Sequence, residues 1–380
     1  MVYLDNAATS YPKPASVLDS LKKTAIQLGG NPGRSGHVMS MNAAQAIYRT
    51  REEAASFFGA QPEHVIFTCN CTHALNIAIK GVIKKGGHVI ISCLEHNAVT
   101  RPLYRLSQDG EATYSVAEVF SDPAKTVASF ESLIQPETQA IICTHASNVS
   151  GKVLPIEQLG KLCKRYHLTF IVDAAQTAGV LPIHVERMGI DLLCMAGHKG
   201  LYGISGTGML ILGSDRLIKP LIEGGTGSLS LQQEQPDFYP DRLESGTVNT
   251  VGIVSLYHGM KYLNHRGNAA AYEHEMELCH YARERLSQLK EIHFLEKHFD
   301  YATHVPVLSF TIADKDSEEV GQRLSDSGIA VRSGLHCAPF AHRYYGTLKT
   351  GAIRMSPSIF STKNEIEYFV KQVKKISKID

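Results

Sequence analysis

A chain of 380 residues, 43% hydrophobic and 20% charged, is long enough to bury a sizeable core, and its composition excludes a disordered or low-complexity protein. Its 38 Lys and Arg nearly balance 37 Asp and Glu, leaving a net charge of +1 and no long-range field for a polyanion or anionic membrane, so nucleic-acid binding is not expected. The opening MVYLDNAATS has neither a basic nor an apolar leader region, and no later apolar run nears the roughly 20 residues that span a bilayer; the expected location is cytoplasmic, with no membrane partner.

From the N-terminus, short apolar runs rich in β-branched residues alternate with helical patterns. HVIFT (64–68) leads through CNC into THALNIAIKGVI, where Leu75, Ala78, Ile79, Val82 and Ile83 recur at helical spacing. HVIIS (88–92), QAIICTH (139–145), LTFIVDAA (168–175), DLLCMAG (191–197) and GMLILG (208–213) follow. Runs apolar on both faces at this spacing predict an α/β fold with a mainly parallel sheet covered by helices. Past about residue 258 the pattern changes. A helix over 272–289 places Tyr272, Met276, Cys279, Ala282 and Leu286 on one face; VLSFTI (307–312), a helix, GIAVRSG (328–334) and an amphipathic helix from Lys363 complete the chain. The expectation is a large α/β domain over 15–258 and a smaller α+β domain made of 1–14 and 259–380.

The eight cysteines, at 69, 71, 93, 143, 163, 194, 279 and 337, do not resemble a disulfide framework and are expected to stay reduced. Cys69 and Cys71 are read as strand positions pointing apart, and no metal site is expected. The sequons at Asn70 and Asn148 are expected to carry no glycan. Neither G-x-G-x-x-G nor G-x-x-x-x-G-K-[ST] occurs, which weakens a nucleotide-binding reading.

The densest polar information sits at strand ends. In FIVDAAQ, Asp173 emerges at the carboxyl end of a buried strand, where open α/β sheets bind ligands. The next strand ends in GHKGLYGISGTG, which brings Lys199 to the same edge among five glycines. Alone, Asp173 and Lys199 read as a structural ion pair. Their surroundings point elsewhere: a lysine kept partly neutral forms Schiff bases, flanking glycines let the backbone approach a flat ligand, and a carboxylate keeps a pyridinium nitrogen protonated. After HVIFT, Thr72 is placed to cap a helix whose first amides, near His73 and Ala74, would face a phosphate; an unliganded cap explains that segment equally well.

Taken together these motifs resemble the class V aminotransferase group of pyridoxal phosphate enzymes, and within it the cysteine desulfurases and selenocysteine lyases. The resemblance runs from YLDNAATS through LEHNAV, SNVSG, VDAAQ, GHKGLYG and ESGTVNT to RSGLHCAP and GAIRMSP. It implies that Lys199 holds pyridoxal 5'-phosphate covalently and later moves protons. Asp173 would partner the ring nitrogen, Gln176 the phenolic oxygen, and His96 would stack on the ring and assist as acid or base. Asn148 would lie near the ring oxygen and the substrate carboxylate. Thr72 and His198, with Cys71 and His73 beside them, would hold the phosphate, joined by Thr247 from a second subunit, so a homodimer is implied. Arg354 would grip the substrate carboxylate, with Arg332 nearby.

The chain departs from that pattern in places. Ala196 stands where the family often has serine, so one phosphate contact is missing, and neither NPGRSGH (31–37) nor the spacing from Cys337 to Arg354 matches one subgroup. Cys337 lies on a short loop.

In RSGLHCAP, Cys337 stands outside any apolar periodic segment, unlike Cys163, Cys194 and Cys279, which read as core thiols. With the resemblance, Cys337 reads as the nucleophile that takes sulfur from L-cysteine as a persulfide, leaving alanine and implying a sulfur-acceptor protein or reductant. A free thiol is only a few per cent ionised at neutral pH, so His336, Arg332 or His96 is expected to favour the thiolate. The rivals are a selenocysteine lyase, another class V reaction (aminotransferase, β-lyase or epimerase) in which Cys337 is incidental, and a nonenzymatic sulfur carrier.

Overall fold

A computed structural model describes residues 1–33 and 36–378 of the chain. Arg34 and Ser35 of the NPGRSGH motif lie outside the described residues. The short strand β1 (Val2–Tyr3) is followed by the strands of the main sheet: β2 (Val65–Thr68), β3 (Gly87–Ser92), β4 (Ala112–Ala117), β5 (Thr138–Thr144), β6 (Thr169–Asp173), β7 (Leu192–Ala196) and β8 (Gly208–Leu212). Their spatial order is β2-β8-β7-β6-β5-β3-β4, and only β8 runs against its neighbours. Apolar side chains on both faces feed two large clusters, one on each side of the sheet. β4 was not foreseen because, as an edge strand half exposed along ATYSVA, it lacks the continuous apolar run of the inner strands.

The second part holds β9 (Ile292–Phe294), β10 (Leu308–Ile312), β11 (Ile329–Ala330), β12 (Arg332–Gly334) and β13 (Ala352–Met355). Four of these form an antiparallel sheet in the order β12-β13-β10-β9, while β11 pairs in parallel with β1. A separate apolar cluster built on Leu4, Phe310, Ile353 and Phe369 joins the N-terminal strand to this sheet and to the Lys363–Ser377 helix. Residue 258 falls inside the Thr250–Arg266 helix, and the predicted 272–289 helix begins earlier, at Asn268, and ends at Leu286.

Among the described residues no helix is long and apolar enough to cross a membrane. Cys163, Cys194 and Cys279 are buried, as their periodic settings predicted, and Cys337 is exposed. Cys69 and Cys71 do point apart, but the physical reason differs from the one given by sequence. Alternation along a strand returns residues i and i+2 to the same face; here the Cys71–Val82 helix starts between them, burying Cys71 and leaving Cys69 exposed.

Candidate active site

The carboxyl ends of the parallel strands converge on one cleft of about 520 Å³, lined by Cys71, Thr72, His96, Asn148, Asp173, Gln176, His198 and Lys199. Asp173 ends β6, is 4% exposed, and accepts from the Ala175 amide at 2.8 Å and the Cys71 thiol at 3.3 Å. Lys199 arrives on the loop after β7. Its amine makes no hydrogen bond or ion pair with any described residue, so the structural ion-pair reading of Asp173 and Lys199 is overturned. Burial holds Lys199 below the ordinary ammonium range; Arg354 pushes the same way, and Asp173 and Cys71 oppose.

Two of the glycines around Lys199 are packed against the protein itself. A Cβ on Gly200 would sit 2.4 Å from Ala178 O, and one on Gly197 would sit 2.3 Å from Thr207 Oγ1. They let the lysine loop press against its own fold.

Beside Asp173, Asn70 and not Thr72 caps the Cys71–Val82 helix, accepting from the His73 amide at 2.9 Å. Thr72 lies one residue inside the helix with its side chain exposed. His73 turns its ring toward Cys69, accepting at Nδ1 from the Cys69 amide at 3.3 Å, and its own amide is already bonded. The amides of Cys71 and Thr72 are left free at the positive end of the helix. His198 is pushed down to about 4 by burial, then by Lys199 and Lys13, and its buried Nδ1 has no partner.

His96 caps the Asn97–Gln108 helix: Nδ1 accepts from the Ala98 amide at 3.0 Å, so in the neutral ring the proton sits on Nε2. Burial lowers its pKa, which keeps the ring neutral. Gln176 donates to Ala7 O at 3.1 Å, and Asn148 donates to His336 O at 2.8 Å. Thr247 is exposed and does not reach the cleft of its own chain; Asn31 Nδ2 is 3.5 Å from its hydroxyl.

Cys337 flanks the cleft. Its carbonyl accepts from the Asn97 amide, next to His96, at 2.8 Å, and Arg332 Nη2 is 3.8 Å from its sulfur. Arg332 and Arg354 face each other in register on β12 and β13. Arg354, 2% exposed, donates from Nη1 to Asn148 O and from Nη2 to Asp5 Oδ1, both at 2.8 Å, while its buried Nε–H has no partner. His336 does not serve the thiolate as expected. It is 3% exposed, driven down to about 2 by burial, Arg354 and His342, and both its ring nitrogens face other groups.

Asp5 and Glu95 were missed. Both stand inside quoted motifs, YLDNAATS and LEHNAV, but what each touches depends on distant chain. Asp5 reaches Arg354 through its bridge to Ser356. Glu95 lies wholly buried behind the cleft, with Oε1 accepting from the Thr144 amide at 2.8 Å.

A family model, aminotransferase class-V, matches residues 2–369. A probable cysteine desulfurase of Mycolicibacterium paratuberculosis is 31% identical over 388 residues, covering 99% of this chain, which spans only 55% of that protein's length. One from Pyrococcus abyssi is 30% identical over 388 residues, covering all of this chain and 94% of that protein. A solved apo structure of a cysteine desulfurase from Thermococcus onnurineus NA1 superposes with a TM-score of 0.90 at 29% identity, covering 99% of this chain and 94% of the other.

Proposed function

Since the chain belongs to the aminotransferase class-V family, we propose that it is a pyridoxal 5'-phosphate-dependent cysteine desulfurase that takes sulfur from L-cysteine onto Cys337. The observation that carries this reading is an exposed thiol on a fixed loop, beside a cleft where an unpaired, weakly basic lysine shares the floor with a buried carboxylate.

The residues fit the cofactor. The amides of Cys71 and Thr72, the Thr72 hydroxyl and His198, whose Nδ1 has no partner, form a donor set for a phosphate in the cleft that Asp173 also lines, where its carboxylate would keep a ring nitrogen protonated. Bound there through Lys199, pyridoxal phosphate would supply an electron sink for a carbanion at the substrate α-carbon. Gln176 and Asn148, which line the same cleft, would face its ring, and His96 presents an imidazole protonated on Nε2.

The chain's own residues then divide the work. Arg354, its fork oriented by Asp5 and Asn148 O, keeps Nε–H and a second Nη2–H for a substrate carboxylate. Lys199, its basicity lowered by burial, takes the α-proton and later returns it. Arg332 Nη2 faces the Cys337 sulfur from 3.8 Å. That thiolate attacks the substrate sulfur: an S–S bond forms, the Cβ–S bond breaks with its electron pair staying on carbon, and protonation gives alanine. The terminal sulfur remains on Cys337 until an acceptor thiol or a reductant removes it.

We also propose a cytoplasmic homodimer. All eight cysteines are free, as a reducing compartment requires. Thr247 has no role within its own cleft, and Val38, Met39 and Met41 are 71%, 51% and 61% exposed on one helix, a surface suited to a second copy. The pairing of β1 with β11 and the Asp5–Ser356 bridge support grouping residues 1–14 with 259–380 as a small domain that carries Cys337 and both arginines, against a cofactor-holding 15–258.

The deciding experiment follows the sulfur. Purified protein should be yellow, release alanine and sulfide from cysteine with a reductant, and gain one sulfur atom on the Cys337 peptide after brief exposure to cysteine. Cys337→Ala should stay yellow and lose most sulfide release; full turnover by that variant refutes the nucleophile role. Keto-acid production without sulfide would replace the reading with transamination.

A further inference from the structure

The Cys337 loop adopts backbone that residues other than glycine rarely hold. φ is 52° at His336 and 56° at Cys337, two successive left-handed residues, a conformation that persists only where its surroundings fix it. Two backbone clamps do part of this: Asn148 Nδ2 holds His336 O and the Asn97 amide holds Cys337 O, each at 2.8 Å.

The rest is done by side chains that touch neither the cleft nor its lysine. The His336 ring lies parallel to that of His342, centroids 5.3 Å apart, with Nδ1 of the first 3.1 Å from Nε2 of the second. His342, wholly buried, has its Nδ1 2.8 Å from Thr347 Oγ1. At the far end, His336 Nε2 is 3.5 Å from Arg332 O. Burial keeps both imidazoles neutral, so each has one proton to place.

Each end of the chain has a backbone carbonyl within reach, Arg332 O beside His336 and Thr347 O beside His342, so the two rings can hold their protons in either of two registers. In both registers a single proton bridges His336 Nδ1 and His342 Nε2, and His342 Nδ1 lies against the Thr347 hydroxyl, which can donate or accept. The chain runs between Thr347 and the backbone of Arg332, whose guanidinium lies 3.8 Å from the Cys337 sulfur. The Pro339–Tyr344 helix bearing His342 is itself anchored, by Tyr344 Oη donating to Val119 O at 2.7 Å and, just past its end, by Tyr345 Oη, which donates to the Glu296 carboxylate and accepts from Ser150 Oγ at 2.7 Å.

We propose that His342, set by Thr347, is a positioning residue that locks His336 and through it holds the Cys337 thiol and Arg332 in register for sulfur transfer. The proposal rests on the nucleophile reading of Cys337. It concerns the rate at which sulfur reaches that thiol, not the binding of substrate or cofactor.

The test uses holoenzyme with Thr347→Val, which keeps shape and loses the hydroxyl, Thr347→Ser, which restores it, and His342→Leu. Alkylation of Cys337 by iodoacetamide and sulfur gain on the Cys337 peptide are followed by mass spectrometry, beside the visible absorbance and KM for cysteine. Thr347→Val and His342→Leu should slow sulfur gain at least about 5-fold and change the alkylation rate, with colour and KM kept, and Thr347→Ser should return both rates to within about twofold of the parent. Parental rates in Thr347→Val and His342→Leu overturn the proposal. So does a loss that tracks loss of colour, which would make the chain general scaffolding. Absence of sulfur on Cys337 in the parent protein would instead remove the nucleophile reading.

Discussion

Glu95→Gln isolates a buried carboxyl directly behind the cleft. Glu95 Oε1 accepts from the Thr144 amide at 2.8 Å and the Ser92 hydroxyl at 2.5 Å, Oε2 has no partner, and burial pushes the group from 4.5 up to about 8. Between those two values the folded chain keeps a proton that the unfolded chain has released, so stability falls as pH rises. The contribution is fully present below 4.5 and gone above about 8. At about 1.4 kcal/mol per pH unit, moving from about pH 5.5 to about pH 7.5 removes about 3 kcal/mol through this one group. Glu275, also buried and pushed up to about 8, adds a like slope, but it is present in both proteins and cancels in the comparison. Glutamine keeps the acceptor for Thr144 and does not titrate. Urea unfolding at the two pH values should therefore show the variant losing about 3 kcal/mol less than the parent over the interval. Parallel pH profiles for the two proteins would refute the reasoning.

Three further changes test the framework of the site. Lys13 donates to Ser10 Oγ at 2.7 Å and His198 O at 2.8 Å, has no acidic partner, and is lowered by burial from 10.5 to about 8. Stability should rise with pH across that window, and Lys13→Met, discounted for partial exposure, should gain about 1–2 kcal/mol at neutral pH; a neutral-pH melting temperature no higher than the parent's contradicts this. Gly200→Ala would place a Cβ 2.4 Å from backbone oxygen and should cost at least about 2 kcal/mol, so a variant that melts with the parent would undo the close-approach account. Asp5→Ala strips the charge-assisted bond from Arg354 and should destabilise by about 2–3 kcal/mol, tempered by the 21% exposure of the Asp5 side chain; a change under about 0.5 kcal/mol in urea unfolding would show that Asn148 O suffices.

What the sequence disclosed was whatever is written locally. The inner strands announced themselves because burial on both faces demands uninterrupted apolar runs, and Asp173 because a charge directly after such a run must leave the sheet at its end. The half-exposed β4 carried no such demand. Cap chemistry at 70–73 was misassigned because Asn70 and Thr72 are both good cap residues and only the backbone, extended at Asn70, decides between them. The errors about His336 and the missing roles of Asp5, Glu95 and His342 share one cause. Each depends on a partner brought in by the fold: His342 by a helix that starts two residues after Cys337, Asp5 by a bridge to Ser356. A motif names such residues without saying which way they face.

The charges around the cleft carry one more step. Like charges directly opposite on neighbouring strands repel, yet Arg332 and Arg354 stand in register, and among the described residues only Arg354 has a carboxylate answering it. Under the proposed reaction the substrate carboxylate supplies the missing negative charge. It also acts on Lys199, because Arg354 is the leading charge holding that amine's basicity down. Neutralising the guanidinium removes part of that push while Asp173 and Cys71 continue to raise it. Under the proposed reaction, the lysine amine set free when substrate is held would be more basic than in the empty pocket, which suits it to take a proton from the α-carbon. Under that reading one arginine would couple recognition of the carboxylate to the proton transfer.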